Sequence, residues 1–278
     1  MDERVLTIQD ISCVGQCSIT VALPVISACG IETAILPSSV LSNHTAGFSA
    51  WTFRDLTDDM PLILDRWLKE SVTFSAFYTG YVSKAQIPHI RQIMEKTARP
   101  GALRIIDPVM ADNGKLYPGF DSDFPSHMRT LCDGADVILP NLTEAAFLLG
   151  KPYVGSGYDR AYIENLVVEL HGLGAKNVVL TGVSFEEGKL GVACFDGKKT
   201  DYYFTPRLPV SMHGTGDAYA SSFVGALLRG KSVLESASIA ADFVVESIKK
   251  TQGDTDHWYG VKFEKAIPYL VNRLCFTS

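Results

Sequence analysis

Hydrophobic and polar positions divide most of the chain into two kinds of segment that alternate. Short apolar runs rich in β-branched and aromatic residues, which are typical of buried strands, are "RVLTIQ", "TAILPSSV", "FSAFYTGYV", "LRIIDPVM", "ADVILPN" and "NVVLTG". Between them, segments such as "DDMPLILDRWLKESV" and "IPHIRQIMEKTA" place apolar residues three or four positions apart, which predicts amphipathic helices. Repeated strand–helix units predict an α/β fold with a central, mostly parallel sheet and helices on both faces.

The segment "KLGVACFDGKKTDYYFTPRLP" breaks this order, because two extended runs follow each other with Asp196-Gly197 as a turn signal between them. It predicts a small antiparallel hairpin at an edge of the sheet. Two further helices, at roughly Val233–Thr251 and Lys262–Leu274, are expected to close the chain. The sequence contains no linker, low-complexity run or internal repeat, so we expect residues 1–278 to form a single domain.

Composition and net charge limit the kinds of molecule that the protein is expected to bind and the compartment in which it is expected to occur. The net charge of −6 disfavours binding to nucleic acid or to an anionic membrane, since both select basic surfaces. The N-terminal "MDERVLTIQD" has no apolar signal core, and no apolar run approaches the roughly 18 residues of a membrane span. The six cysteines form no C-x-x-C pair and no zinc-type spacing. We therefore expect a cytoplasmic protein with reduced cysteines, and neither a nucleic-acid nor a membrane partner.

Polar residues follow the predicted strands. In open α/β sheets, ligands bind at the carboxyl ends of the strands, so these positions predict where a ligand would bind. They are Gln9 to Ser12, Asn43 to Thr45, Tyr81, Asp107 to Asp112, Asn141 to Glu144, and Thr181. The sequence therefore predicts a polar ligand site along one edge of the sheet.

The stretch "HGTGDAYA" combines a glycine-rich turn with the start of a helix. Small residues at 214 to 216 let the backbone turn tightly, and the N–H groups and dipole at a helix start attract phosphate or a developing negative charge. The alternative is that Asp217 simply caps the helix. The chain has no P-loop, and no G-x-G-x-x-G follows its first strand.

Acidic residues after two other strands each have a metal-binding and a local structural interpretation. In "DPVMADNG", Asp107 and Asp112 could hold Mg²⁺, although Asp-Pro and Asn-Gly also mark ordinary turns, which the spacing alone favours. In "LPNLTEAAFLLG", Asn141 ends a strand and Glu144 falls in the first turn of a helix. That pair could cap the helix, or Glu144 could reach a magnesium-bound water.

The stretch "SSVLSNHTAGFSAW" places four polar residues, Ser42 to Thr45, between an extended apolar segment and aromatic residues. Hydrogen-bonding groups beside apolar faces suit a small polar ring as ligand. A lone histidine such as His44 is more often structural than catalytic. Hydrolytic classes are disfavoured, because the chain has neither a G-x-S-x-G nor an H-E-x-x-H motif.

Taken together and in order, the segments "VLTIQDISCVGQ", "SNHT", "TGY", "DPVM", "LPNLTE" and "GTGD" resemble the ribokinase-like superfamily, and within it the pyridoxal (vitamin B6) kinases. "GTGD" marks the superfamily broadly, whereas "SNHT" with "TGY" and "DPVM" is more specific to the B6 branch. The resemblance implies a three-layer ribokinase-like sandwich. It also implies ATP-dependent phosphorylation of the 5′-hydroxymethyl group of pyridoxal, pyridoxine or pyridoxamine, giving pyridoxal 5′-phosphate or its analogues.

The resemblance also implies roles for individual residues. Asp217 would be the catalytic base, and the amides of Gly214, Thr215 and Gly216 would form the anion hole. The vitamer would be bound by Ser12, Asn43, Thr45 and Tyr81 together with Asp217. ATP would be bound by Asp107, Asn141, Glu144, Thr181, Gly214 and Gly216, with Mg²⁺ held by Asp107 and Glu144, partly through water. Tyr117 matches a tyrosine that some members carry in a loop over the site.

Two departures from the family pattern keep alternatives open. The family usually has glycine where this chain has Ala111, and His213 is a feature shared with the hydroxymethylpyrimidine kinases of the same superfamily. Those kinases usually carry cysteine in place of Asp217. The alternatives are therefore a hydroxymethylpyrimidine kinase or a non-catalytic protein that binds pyridoxal phosphate. The resemblance further implies Mg²⁺ with ATP and a homodimer, and leaves open an activating monovalent cation such as K⁺.

Overall fold

The computed structural model describes residues 3–210 and 212–276. Its strands are β1 (Arg4–Ser12), β2 (Glu32–Leu41), β3 (Phe53–Asp55), β4 (Phe74–Thr79), β5 (Ala98–Ile106), β6 (Ala111–Asp112), β7 (Lys115–Leu116), β8 (Val137–Ile138), β9 (Asn177–Val183), β10 (Lys189–Phe195) and β11 (Thr200–Pro206). Its α-helices are α1 (Ile19–Ala28), α2 (Asp59–Lys69), α3 (Ile87–Thr97), α4 (Phe124–Cys132), α5 (Leu142–Leu149), α6 (Arg160–His171), α7 (Thr215–Leu228), α8 (Val233–Thr251) and α9 (Ile267–Phe276).

Nine strands form one sheet in the order β11-β10-β9-β8-β5-β4-β1-β2-β3. The central strands, from β9 to β2, pair in parallel. Antiparallel pairing is confined to the two edges, where β10 and β11 form the predicted hairpin and β3 pairs with β2. The mostly parallel sheet with an edge hairpin is therefore confirmed. Strands β6 and β7 form a separate small hairpin.

Helices cover both faces of the sheet, as the alternating pattern predicted. One core, with Phe77 of β4 near its centre, lies under the helices from α2 to α6. The other core, which contains the neighbouring residue Tyr78, lies under α1, α7, α8 and α9. Successive residues of a strand point to opposite faces, so one strand supplies both cores. The result is a three-layer α/β sandwich.

Helix α7 occupies the middle of its layer, between α1 and α8. Its residues from Ala218 to Ala226 are all buried. At Gly225 a Cβ atom would overlap the Sγ atom of Cys29 at the end of α1, so the two helices approach closely at a position that only glycine fits. Helix α7 is thus fixed in place along most of its length.

Several short elements had no counterpart in the sequence prediction: β3, the β6–β7 hairpin and α4. The last helix also differs, because residues 263–265 form a 3₁₀ turn and α9 begins only at Ile267. Pro268 explains the shift, since a residue without an N–H fits the first turn of a helix and not its interior. Within the described ranges, no helix is both long and apolar enough to cross a membrane.

Candidate active site

The polar residues that follow separate strands come together at the carboxyl edge of the sheet. Ser12 ends β1, Asp107 follows β5, and Thr181 lies near the end of β9. Asp107 and Asp10 lie close enough to Asp217 for their charges to interact, and Thr181 lies beside Asn141. That all the strand-end residues form one site around the first turn of α7 stays a prediction.

The N-cap residue of helix α7 is Gly214, which has no side chain to accept from the first N–H groups of the helix. Gly214 precedes it with a positive φ of 77°, and a Cβ atom there would overlap the carbonyl oxygen of Gln16. The first N–H groups of a helix have no acceptor within the helix, and no side chain of the N-cap residue supplies one here. A Cβ atom at Gly216 would meet nothing within 4 Å, so the turn borders open space. This geometry can hold an anion.

Asp217 lies in the first turn of α7 and is half-buried. Burial raises the pKa of its carboxyl to about 7, and the charge of Asp10 raises it too, while a hydrogen bond from the backbone N–H of Ser18 lowers it. The N-cap residue of α7 is Gly214, and Asp217 lies inside the first turn of the helix. A pKa near neutral pH suits a general base.

Asp10 is a site residue that the sequence assigned no role. Its side chain is buried where the pairing of β1 with β2 shifts register. Its two carboxylate oxygens accept hydrogen bonds from the hydroxyls of Ser12, at 2.8 Å, and Ser18, at 2.5 Å. Burial raises the pKa of Asp10, and these two hydroxyls lower it. The available signal was an acidic residue within the otherwise apolar segment "RVLTIQDIS".

Cys17 lies in the same turn, close to both acids. Burial and the negative charges of Asp217 and Asp10 raise the pKa of its thiol far above the ordinary value. The thiolate is the nucleophilic form of cysteine. Cys17 is therefore a protonated, weakly reactive thiol.

Asp107 and Glu144 form a second acidic pair, and both are buried. Burial and the charges of Glu144 and Asp217 raise the pKa of Asp107, and burial raises that of Glu144 to about 8. Mg²⁺ in nucleotide sites commonly takes one or two carboxylates together with phosphate oxygens, and this pair fits that donor set. Among the described residues, no group of three or more His, Cys, Asp or Glu side chains is placed to hold a metal alone.

The same residues also serve helix α5. Glu144 accepts from the backbone N–H of Asn141 at 2.9 Å and of Met110 at 3.1 Å. The side chain of Asn141 accepts from the N–H groups of Thr143 and Glu144, and donates to the carbonyl of Ala111 at 2.8 Å. The capping interpretation is thus realised. A nucleotide contact by Asn141 or Thr181 stays a prediction.

The loop after β2 is held by its own side chains. Asn43 donates to the carbonyls of His44 and Ala50, at 3.1 Å each. His44 bonds the carbonyl of Tyr259 through Nε2 at 2.7 Å, and its Nδ1 accepts from the N–H of Ala46. Both ring nitrogens are therefore engaged, which is the structural role expected of this histidine. Thr45 is exposed beside it.

Two tyrosines, Tyr81 and Tyr117, lie close enough to the buried acids for the charges of those acids to raise their pKa values. The ring of Tyr81 lies 5.1 Å from that of Phe120, centroid to centroid, and the charge of Asp10 helps to raise its pKa. Burial and the charges of Glu144, Asp107 and Asp217, among others, raise the pKa of Tyr117. Tyr117 follows the β6–β7 hairpin, and the role of its loop as a cover over the site stays a prediction.

Asp112 behaves differently from Asp107. Its side chain is exposed and accepts hydrogen bonds from the backbone and the side chain of Asn113, at 2.8 and 2.9 Å. Asp107 lies among the other acids, whereas Asp112 shapes the β6–β7 turn. The turn interpretation therefore applies to Asp112 alone.

Known proteins with this fold and these motifs include several kinases. A crystal structure from Bacteroides thetaiotaomicron, described as a phosphomethylpyrimidine kinase and solved with pyridoxal, is 35% identical, with a TM-score of 0.91 and coverage of 97% of this chain and 96% of that one. Pyridoxal kinase from Lactobacillus plantarum is 33% identical, with a TM-score of 0.89 and 97% coverage of both chains. Pyridoxal kinase PdxY of Rubrobacter xylanophilus is 29% identical, over 89% of this chain and 87% of that protein.

The family model described as phosphomethylpyrimidine kinase matches residues 62–261. That range extends from α2 to the segment after α8, so it contains the second acidic pair as well as the start of α7. The first strand and the β1–α1 turn lie outside it, whereas the similarity to each of the two crystal structures covers 97% of this chain. This chain therefore belongs to the phosphomethylpyrimidine kinase family, within the ribokinase-like superfamily.

Proposed function

We propose that this protein is a pyridoxal kinase, which transfers the γ-phosphoryl group of ATP to the 5′-hydroxymethyl group of pyridoxal, pyridoxine or pyridoxamine. The observation that carries the proposal is the position of Asp217, whose pKa is raised to about 7 and which lies in the first turn of α7 behind the N-cap glycine Gly214. A base must lie next to the anion site, because the attacking oxygen lies next to the phosphoryl group that it accepts. The relatives named pyridoxal kinase support the choice of substrate.

In the proposed reaction, Asp217 accepts the proton of the 5′-hydroxyl group. The hydroxyl oxygen forms a bond to the γ-phosphorus, and the bond between that phosphorus and the bridging oxygen of ADP breaks. The amides of Gly214, Thr215 and Gly216 donate to the phosphoryl oxygens during the transfer, and one such donor is typically worth roughly 10²–10³-fold in rate. Mg²⁺, held by Asp107 and through water by Glu144, would neutralise charge on the phosphates.

The remaining predicted site residues divide between the two substrates. We assign to the vitamer ring the residues at the ends of β1, β2 and β4, which are Ser12, Asn43, Thr45 and Tyr81. Asn141 and Thr181 lie on the side of β8 and β9, and we assign them to the nucleotide. Their adjacency supports this division, since the residues at 141 and 181 form a parallel bridge across the two strands.

A hydroxymethylpyrimidine kinase is the second candidate, because the matching family model carries that chemistry in its description and His213 precedes the glycine-rich turn. Asp217 favours the B6 vitamers, since the pyrimidine kinases usually carry cysteine there. A non-catalytic protein that binds pyridoxal phosphate is disfavoured, because the carboxylate of Asp217 would repel a resident phosphate at the start of α7.

The resemblance also implies a domain organisation, a cellular location, an oligomeric state and cation requirements, and these belong to the same proposal. We expect residues 1–278 to act as one kinase domain, because one nine-stranded sheet takes its strands from the range between β1 and β11. We also propose a cytoplasmic homodimer that uses Mg²⁺ with ATP, with K⁺ as the candidate activating cation.

The proposal is tested by measuring ATP consumption with pyridoxal, pyridoxine, pyridoxamine and hydroxymethylpyrimidine as separate acceptors. We expect turnover with at least one vitamer, and a kcat/KM for it above that for hydroxymethylpyrimidine. Turnover with the pyrimidine alone would assign the second candidate. Tight binding of pyridoxal phosphate without turnover of any acceptor would assign the binding protein.

A further inference from the structure

The loop between β2 and β3 is in contact with the segment between α8 and α9. Nε2 of His44 lies 2.7 Å from the carbonyl oxygen of Tyr259, although 215 residues separate the two along the chain. Further along the loop, the ring centroids of Phe48 and Trp258 lie 4.7 Å apart. The loop is therefore attached at two points to a part of the chain that is far from it in sequence.

The backbone of the β2–β3 loop also lies against the indole ring of Trp258. Gly47 has a φ of 82°, and a Cβ atom there would come within 2.9 Å of that ring. The loop can pass this close only because position 47 carries no side chain. Trp258 packs against Gly47 and Phe48 and still has 50% of its surface exposed.

The α8–α9 segment is itself attached to the residues around the start of α7. Val261 is fully buried, and its backbone N–H donates to the carbonyl oxygen of His213 at 3.1 Å. A Cβ atom at Gly260 would overlap the side chain of Gln16, so the segment lies directly on the β1–α1 turn. These contacts hold the segment in place as a support for the β2–β3 loop.

The contacts lie on both sides of the loop residues that we assign to the vitamer. Asn43 and Thr45 flank His44, whose ring is bonded to the α8–α9 segment. Phe48 restrains the same stretch three residues after Thr45, through its contact with Trp258. The position of Asn43 and Thr45 therefore depends on a segment that contributes no predicted site residue.

We infer that Trp258 and Phe48 are positioning residues for the acceptor: their contact holds the β2–β3 loop where it binds the vitamer. This role rests on the proposed function, because the acceptor is the molecule that the loop would contact. Neither ring is assigned to the phosphates or to the base. A loop that contacts the acceptor equally before and during the transfer affects KM and leaves kcat nearly unchanged.

Three substitutions test the contact from both sides. Trp258→Leu keeps an apolar side chain but removes the flat ring, and Phe48→Leu makes the matching change on the loop. Trp258→Phe keeps an aromatic ring and should restore part of the contact. Tyr269→Leu is the control, since it replaces an aromatic residue that is 36% exposed on α9, and α9 packs on α8 and α1.

Steady-state kinetics give kcat and KM for pyridoxine and ATP in each variant. We expect the KM for pyridoxine to rise about 3- to 10-fold in Trp258→Leu and in Phe48→Leu, the range that one aromatic contact supplies. Both kcat and the KM for ATP should change by less than about twofold. The double variant should resemble the more affected single variant, because both changes break one contact. Trp258→Phe should be less affected than Trp258→Leu, and Tyr269→Leu should match the wild type.

Amide hydrogen exchange tests the position of the loop without any substrate. The N–H groups of Ser42, His44 and Ala46 each donate a hydrogen bond in or beside the loop. We expect these three amides to exchange faster in Trp258→Leu, while those of β4 and α7 keep their rates. Because the protein is measured alone, the result decides on the contact even if the wild type turns over no vitamer.

An unchanged KM for pyridoxine in both Leu variants would overturn the inference, as would a loss confined to kcat or losses that multiply in the double variant. Unaltered exchange at the three loop amides would overturn it too, and so would faster exchange throughout the molecule. Wild-type turnover of a vitamer together with any of these results would leave the proposed function intact. If the wild type turns over only hydroxymethylpyrimidine, the same comparison applies with that acceptor.

Discussion

Asp217 is subject to two opposing effects on its charge. Its position in the first turn of α7 favours the carboxylate, since the start of a helix carries partial positive charge. Burial acts in the other direction and raises its pKa to about 7. An acid beside an anion site is thus kept near the balance between its protonated and ionised forms, which is the condition that general-base catalysis at neutral pH requires.

Replacing the base tests this residue directly. We expect Asp217→Asn to lower kcat by roughly 10²–10⁴-fold, the usual contribution of a general base, because the amide cannot accept the hydroxyl proton. Binding of ATP should change little, because the N–H groups at the start of α7 remain. Steady-state kinetics and calorimetric titration with ATP measure the two quantities, and normal turnover in this variant would contradict the assignment.

The pH dependence of the reaction follows from the same group. Asp217 must be ionised to accept a proton, and its pKa is raised to about 7, so the active fraction falls as the pH drops below that value. We expect kcat/KM to lose about tenfold per pH unit below neutrality. A pH–rate profile for pyridoxine checks this, with Asp217→Asn as the control that should lack the acid limb. A wild-type profile that stays flat down to pH 5 would exclude Asp217 as the base.

At the scale of elements, the backbone conformation at the start of α7 requires glycine at only one of its two glycine positions, Gly214. Gly214→Ala combines a positive φ with an overlap on the Gln16 carbonyl, and should lower the free energy of unfolding by about 1–3 kcal/mol. Gly216→Ala is the matched control, since a Cβ atom there meets nothing within 4 Å and helix propensity favours alanine. Urea unfolding of both variants measures the difference, and equal stabilities would contradict the geometry.

Helix α5 raises a different question, because Glu144 both caps it and is proposed to serve magnesium. Glu144→Gln should raise the Mg²⁺ concentration for half-maximal activity by roughly tenfold. This is the lower end of the loss in metal affinity expected when a residue that supports a metal site is replaced. Glu235→Gln is a matched control, since Glu235 accepts from the backbone of Ser232 at 2.9 Å in the capping box of α8. Both variants lose a charge but keep one side-chain oxygen that can accept in a capping box, and only the first should shift the Mg²⁺ titration. Equal titrations would leave Glu144 with capping alone.

At the scale of the whole molecule, the sequence predicted the features that depend on hydrophobic periodicity and on the polar residues at strand ends. The parallel sheet, the edge hairpin and the helices on both faces each rest on long runs with a clear period, and the structure confirms them. The gathering of strand-end residues followed from the parallel arrangement. The end of α5 at Gly150, which has a left-handed φ of 65°, could also be predicted from the residue type alone.

The features that escaped prediction are those that depend on distant contacts. Strands β3, β6 and β7 have two or three residues each, too few to show a period, and their partners define them. Asp10 looks like an interruption in an apolar strand until the hydroxyl of Ser18, eight residues on, is placed against it. Likewise, only the fold separates Asp107, which lies among buried acids, from Asp112, which shapes a turn.

The close approach of α7 and α1 at Gly225 has a consequence for how this enzyme can lose activity. Gly225 is eight residues beyond Asp217, about 12 Å along a helix that rises about 1.5 Å per residue. Because the helix between them is buried, a side chain added at 225 would push the whole element and displace its first turn. We therefore expect a side chain introduced at position 225 to lower activity even though every predicted site residue stays intact.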